Sequence, residues 1–263
     1  MTQPDRKQAL SLSLLQTATY WHDPVRNRAL FDHLFTQLPS CSRLVVLPEM
    51  FSTGFTMQST AVAEEMDGET VTWLLSRARS LQKMLCGSLV IVDEGHYFNR
   101  FVCAYPDGRL QWYDKRHLFR MAGEHEHYSP GVEKVVLTVD GWRVCPTVCY
   151  DLRFPVWLRN QNDYDLLVCC ANWPAARIEA WKTLLRARAI ENQSYVAGVN
   201  IVGRDGNRVE YAGGSGVYGP AGQVMAEVTG QAKVINQTIL WAPLAQLREE
   251  FPVWQDADPF IVR

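Results

Sequence analysis

What this sequence has little of bounds it first. Lys and Arg total 26 against 28 Asp and Glu, a formal net charge of −2, so neither sign is in excess to recruit nucleic acid or an anionic membrane surface. No window approaches the roughly 18 apolar residues of a membrane span. The opening residues, MTQPDRKQAL, carry charges, but no apolar stretch of about 7–15 residues and no small-residue cleavage site follows. A signal peptide is therefore not expected, and cytoplasmic residence is. The seven cysteines are odd in number, irregularly spaced and form no CxxC pair, which argues against a disulfide scaffold and a structural zinc site. Low-complexity segments and long linkers are also missing, so residues 1–263 read as one domain.

What is there is an ordinary globular composition, 47% hydrophobic and 21% charged, in a chain long enough to bury a core without staples. Short apolar runs alternate with helical patterns, the signature of a mixed α/β protein. Leu10–Leu15 and Arg43–Pro48 read as strands. Asp23–Leu38 reads as a helix with Asp23 as N-cap and Pro24 in its first turn, and Gly68–Leu85 as a second helix. Leu89–Val92, Tyr97–Tyr105 and Leu110–Asp114 form a run of strands punctuated by Pro106-Asp107-Gly108. Trp142–Cys149 and Leu166–Ala171 are further strands, then a helix at Arg177–Gln193, strands at Tyr195–Val202, Gly216–Tyr218 and Gln237–Ala242, and a tail.

Three reactive residues fall where strands should end: Glu49 after Arg43–Pro48, Lys115 after Leu110–Asp114, and Cys149 after Trp142–Val148. Strand ends are where ligand sites of α/β sheets collect. A free thiol has a pKa of about 8.5 and needs a base or a nearby cation to act as a nucleophile. Glu49 suits the first part and Lys115 the second. Lys115 also suits an oxyanion, beside the backbone N–H of Tyr150. Taken singly, each of these residues has a duller reading: a small buried hydrophobe for the cysteine, solvated charges for the other two. Cys145 competes with Cys149 from the same strand, although the Pro146 that follows favours a structural role.

Other patterns carry less. Gly214-Ser215-Gly216-Val217-Tyr218-Gly219 fits GxGxxG, but Pro220-Ala221-Gly222 follows in place of the helix that a dinucleotide site requires. His117, His125 and His127 with Glu124 and Glu126 suggest a metal only if the segment is extended, and no fourth ligand is evident. The mixed charge of Arg177–Gln193 reads as a solvated face, and Trp173 and Trp181 as packing.

The motifs around the three reactive residues narrow the choice. Leu47-Pro48-Glu49-Met50-Phe51, Tyr113-Asp114-Lys115-Arg116-His117-Leu118-Phe119 and Cys149-Tyr150-Asp151-Leu152-Arg153-Phe154-Pro155 resemble the glutamate, lysine and cysteine motifs of the carbon–nitrogen hydrolase (nitrilase) superfamily. Ala171-Asn172-Trp173-Pro174, Arg188-Ala189-Ile190-Glu191-Asn192 and Gly213-Gly214-Ser215-Gly216 are similar to its other landmarks. The resemblance implies an α-β-β-α two-sheet sandwich that pairs into a homodimer, with neither cofactor nor metal. It implies Glu49 as base, Lys115 as oxyanion stabiliser and Cys149 as nucleophile. It also implies a second glutamate after the lysine, with Glu124 preferred and Glu126 the alternative. Tyr150 and Asp151 stand where nitrile-cleaving members usually have Trp and Glu, so the motif looks like that of the ω-amidase branch. Arg153 has two readings, a bridge between loops or a bidentate clamp on a substrate carboxylate. The branch resemblance favours the clamp, and a substrate such as 2-oxoglutaramate or 2-oxosuccinamate, over a nitrile or an N-carbamoyl amino acid. Phe51 is expected to line the pocket with Tyr150.

Overall fold

The computed structural model describes residues 8–262; the leader question posed by the first seven residues lies outside them. Thirteen strands alternate with helices along this span. In chain order they are β1 (Ala9–Gln16), β2 (Leu44–Val46), β3 (Met84–Asp93), β4 (His96–Ala104), β5 (Leu110–Asp114), β6 (Leu137–Val139) and β7 (Trp142–Val148). There follow β8 (Leu166–Cys170), β9 (Tyr195–Val199), β10 (Val202–Arg204), β11 (Glu210–Tyr218), β12 (Val224–Thr229) and β13 (Lys233–Leu240). One six-stranded sheet runs β13-β1-β2-β3-β4-β5, and a seven-stranded one runs β10-β11-β9-β8-β7-β6 with β12 beside β11. The helices are α1 (Pro24–Phe35), α2 (Ser59–Val62), α3 (Glu69–Leu81), α4 (Glu124–His127), α5 (Pro155–Leu158), α6 (Ile178–Asn192) and α7 (Trp241–Glu250).

The period-2 geometry of a strand explains the layering. Leu10, Leu12 and Leu14 of β1, Leu44 and Val46 of β2, Met84 and Cys86 of β3, and Phe101 and Cys103 of β4 share one apolar core with Val144, Val148, Val168 and Cys170 of the other sheet. Their alternates, Leu15, Val45, Leu85, Leu89, Val102 and Ala104, pack instead against Phe31 and Phe35 of α1 and Val71, Leu74 and Ala78 of α3. Strands apolar on both faces are what a sheet covered on both sides demands. On the far side Trp181, Leu185 and Ala189 of α6 cover the second sheet. The result is an α-β-β-α sandwich. Parallel pairing of β2 with β1 and β3, and of β8 with β7 and β9, points several strand ends to the same edge.

Asp23 caps α1 by accepting from Arg26 N (2.9 Å), and Pro24 opens it. The second helix is shorter than its apolar spacing suggests. Gln82 adopts left-handed φ 54° and closes α3 on Ala78 and Arg79, and the chain re-enters a strand whose Met84 pairs with Leu44. Leu85 thus belongs to β3; one apolar alternation served both periods. The tail after the last strand is α7. Its N-cap, Leu240, makes no side-chain cap bond, so the usual start signal is missing. None of the helices among the described residues is long and apolar enough to cross a membrane. All seven cysteines are free thiols, and six of them are buried.

Tertiary contacts hold α7. Leu244 is buried, and Arg248 donates to Asp165 Oδ1 (2.9 Å), Tyr164 O (2.8 Å) and Gln193 O (2.9 Å). Asp165, fully buried, also accepts from Arg143. Despite burial, these partners hold its carboxyl below the usual range. Removing one member of a buried ionic network leaves its partners' charges uncompensated. Asp165→Ala should therefore lower unfolding free energy by about 3–5 kcal/mol in urea denaturation. Because the native carboxyl is the stronger acid, its contribution is present above the unfolded-state pKa and fades as pH falls through the native one. The deficit of the variant should accordingly shrink in acid.

Candidate active site

Four side chains from four separate stretches meet at the shared edge of the two sheets. The chain leaves β2 through Pro48 and turns sharply at Met50 (φ 42°), which leaves Glu49 fully buried between the sheets. Lys115 follows β5 and is tied to β4 by its N–H to Asn99 O (3.0 Å). Gly131 passes so close to this strand end that a Cβ there would lie 2.1 Å from Asp114 O; only glycine fits. Glu124 opens α4 just after Gly123 in the left-handed region (φ 77°). Cys149 begins a tight 3₁₀ turn directly after β7, itself at φ 46°. For a non-glycine residue that conformation costs on the order of 1–3 kcal/mol.

Asp151 holds this turn. Its Oδ2 accepts from Val148 N (3.1 Å) and Tyr113 Oη (2.8 Å), and its Oδ1 from His117 N (2.8 Å). His117 Nδ1 lies 2.8 Å from the same oxygen, and its ring stacks on Phe154 at 3.7 Å. One buried carboxylate thus locks the cysteine turn to the lysine loop.

The Lys115 ammonium lies between two carboxylates, 2.9 Å from Glu49 Oε1 and 2.9 Å from both oxygens of Glu124. All three side chains are excluded from solvent. Burial alone would lower the lysine pKa, but Glu124 and Glu49 outweigh it and hold the ammonium well above its ordinary value. Burial, with the charge of Glu49, pushes Glu124 up, although Lys115 opposes them. Phe119 N adds a further donor to Glu124 Oε2 (2.6 Å). Glu49 Oε2 accepts from Asn172 N (2.7 Å), and the Asn172 side chain donates to Glu49 O (2.8 Å), a clamp from the end of β8. Beside this group the Cys149 thiol is pushed well above its usual range, first by burial and then by the Glu49 charge, with Lys115 acting against both.

A cavity of about 560 Å³ opens over Cys149 and Lys115. Tyr150, Phe119, Trp173 and Phe55 supply much of its apolar wall, and Arg153 and Arg177 its positive charge. Arg153 lies over the Trp173 ring (4.9 Å) and Arg177 over Phe119 (5.4 Å). Neither guanidinium has a carboxylate partner among the described residues.

The structure therefore brings together Glu49, Lys115, Glu124, Cys149, Tyr150 and Arg153. It separates Phe51 from them. Phe51 is fully buried behind the first sheet, edge-on to Phe31 (5.4 Å) and against Trp73, because the turn at Met50 sends it back into the helix-side core. Phe55, four residues on, takes the pocket position. Glu126 stays exposed near His125, away from the lysine. The run Glu124-His125-Glu126-His127 forms the helical turn α4, contrary to the extended segment that a shared histidine face needed. No group of three or more such side chains converges as a metal site among the described residues. Cys145 is buried inside β7, its thiol raised to about 12 by burial.

Sequence reading also missed residues. It gave no site role to Asn99, Asn172 or Asp151: Asn99 donates to Glu49 and Glu124, Asn172 to Glu49, and Asp151 holds the turn at Cys149. Arg177 faces the pocket and Arg188 is buried against Leu152 O (2.8 Å), although both belong to the stretch read as a solvated face.

Comparison with known proteins gives one answer. Residues 14–248 match the carbon–nitrogen hydrolase family model. Omega-amidase YafV of Escherichia coli K12 is 46% identical over 95% of this chain and 98% of its own. The 2-oxoglutaramate amidase of Bacillus subtilis is 31% identical over 94% of this chain and 96% of its own. XC1258 from Xanthomonas campestris, a CN-hydrolase superfamily protein solved with an arsenic adduct in its active site, superposes with a TM-score of 0.96 at 47% identity. That match covers 98% of this chain and all of the other. With family, fold and site in agreement, the chain belongs to the carbon–nitrogen hydrolase (nitrilase) superfamily.

Proposed function

We propose that this protein is an ω-amidase, hydrolysing a small 2-oxo-ω-amide acid such as 2-oxoglutaramate or 2-oxosuccinamate to the dicarboxylate and ammonia. The observation that carries the reading is the sharing of one cavity by Cys149, taken as the nucleophile, and two guanidiniums with no carboxylate partner among the described residues. An amide at one end of the substrate meets the thiol while a carboxylate at the other meets the arginines. The two relatives named above, an ω-amidase and a 2-oxoglutaramate amidase, support the same substrate class.

The geometry supports the following course. Cys149 rests as a thiol, since its surroundings oppose ionisation. As Sγ attacks the amide carbon, Glu49 takes the thiol proton, and the new oxyanion is met by Lys115 Nζ and the Tyr150 N–H. Glu49 passes that proton to the departing nitrogen, the C–N bond breaks, and ammonia leaves a thioester on Cys149. Water then gives a proton to Glu49 and adds to the thioester. Collapse of the second tetrahedral adduct, with proton return to sulfur, frees the acid. Glu124 keeps Lys115 charged and aimed throughout. We further propose a homodimer, supported by the family resemblance and by the exposed apolar side chains Ile190, Phe251 and Trp254.

Cys149→Ala should abolish ammonia release yet keep the wild-type circular dichroism and melting curve. In the unmodified enzyme, an acyl adduct should be trapped on Cys149 by rapid quench and mass spectrometry. Across a substrate panel, turnover of nitriles or ureido acids with inert 2-oxo-ω-amides would overturn the proposal. Arg153→Met and Arg177→Met should each raise KM for a carboxylate-bearing amide about 10–100-fold with little change in kcat, the loss of one charge-assisted pair. Neither should affect an uncharged amide. Because the native thiol is the weaker acid, the free enzyme should show no Cys149-dependent thiolate absorbance at neutral pH, and none until pH rises well into the alkaline range.

A further inference from the structure

Asn99 lies in β4, outside all the motifs around the reactive residues, and is wholly buried. Its Nδ2 donates to Glu49 Oε1 (2.8 Å) and to Glu124 Oε1 (3.2 Å), both of which the Lys115 ammonium also contacts. Its backbone oxygen accepts from Lys115 N (3.0 Å), so one residue is hydrogen-bonded to both carboxylates and to the backbone of the lysine between them. Its Oδ1 is buried without a hydrogen-bond partner among the described residues. An amide turned the other way would set that oxygen against two carboxylates, so the anions dictate its orientation.

Two buried carboxylates this close tend to share one proton, as like charges in a common site do. Were the proton to settle between Glu49 and Glu124, Glu49 would no longer accept one from Cys149. Donors on both inner oxygens remove that resting place. Glu49 Oε2, already held by Asn172 N, is left as the outer acceptor. We propose that Asn99 is a positioning residue for the reaction: by donating to both Glu49 and Glu124 it keeps them as two separate anions and leaves Glu49 free to receive the Cys149 proton. The proposal rests on the reading of Glu49 as the base.

The other titratable groups facing this pair are Lys115, Cys149, Cys169, Cys170, Tyr128 and Tyr211. Burial, first among its causes, moves each of the cysteines and tyrosines upward, away from the acid range, and the carboxylates keep Lys115 charged. An acid limb in kcat/KM therefore reports the carboxylates.

The test compares wild type, Asn99→Leu, Asn99→Ser and Glu49→Gln, full-length, by kcat, KM and the pH profile of ammonia release. Asn99→Leu keeps the volume and loses the donor. It should lower kcat about 100-fold, a share typical of general base catalysis, with KM within about threefold. It should also move the acid limb of kcat/KM up by about one pH unit, because ionised carboxylates lose a donor. Asn99→Ser, which retains one hydroxyl donor, should recover part of both effects, and it carries the same comparison if Asn99→Leu does not fold. A fall in kcat with the acid limb unmoved would mean mere loosening and would overturn the proposal, as would kcat within threefold of wild type. An active Glu49→Gln would instead sink the base assignment, and the positioning role with it.

Discussion

An ammonium sealed between two carboxylates governs this molecule. Lys115, Glu49 and Glu124 are out of water, where an unpaired charge costs several kcal/mol. The arrangement is tolerable only because the geometry is tight and donors fill the remaining lone pairs. Asn99, Asn172 and Phe119 N provide them. The three charges come from the ends of β2 and β5 and the start of α4, so the pairing is satisfied only when the whole edge of the sandwich is assembled. The same requirement explains the left-handed turns at Met50, Gly123 and Cys149, which each bring a side chain inward at the last residue available.

The site's chemistry follows from that dryness. A thiol in a low-dielectric pocket beside a carboxylate stays protonated, which fits the proposed roles of Cys149 as nucleophile and Glu49 as base acting together. The ammonium is fixed by its two carboxylates before substrate arrives, and preorganised charge of this kind needs no reorganisation as an oxyanion forms. Asp151 plays the matching part on the cysteine side, holding the strained turn by hydrogen bonds to Val148, Tyr113 and His117. The core between the sheets, rich in leucine, valine and buried cysteine, supplies the rigid backing that such strain needs.

Much of this was legible along the chain. Apolar runs such as Arg43–Pro48 carry a double-sided burial signal, and Asp23-Pro24 marks a helix start by local chemistry alone. Glu49, Lys115 and Cys149 stood at predicted strand ends, and the motif resemblance chose Cys149 over Cys145. Phe51 was misplaced because the direction of its side chain depends on a turn at Met50 that the residue types do not announce. The α3–β3 boundary blurred because Met84 and Leu85 fit a helical period and a strand period equally. The helix α7 escaped notice because its start lacks a cap and its stability comes from Asp165, Tyr164 and Gln193, far away in sequence.

By itself, the sequence determined most of the elements, the reactive residue types and the family to which their motifs belong, since these depend on local periodicity and on short contiguous patterns. Tertiary structure alone decided which charges meet. It chose Glu124 over Glu126 because the first residue of α4 points at Lys115 while the third points at solvent. It turned Arg177 into the pocket, moved Phe51 out and put Asn99 between two carboxylates. The physical reason is common to all four: electrostatic and packing contacts act through space over a few ångströms, between residues that the chain keeps from nine to tens of positions apart.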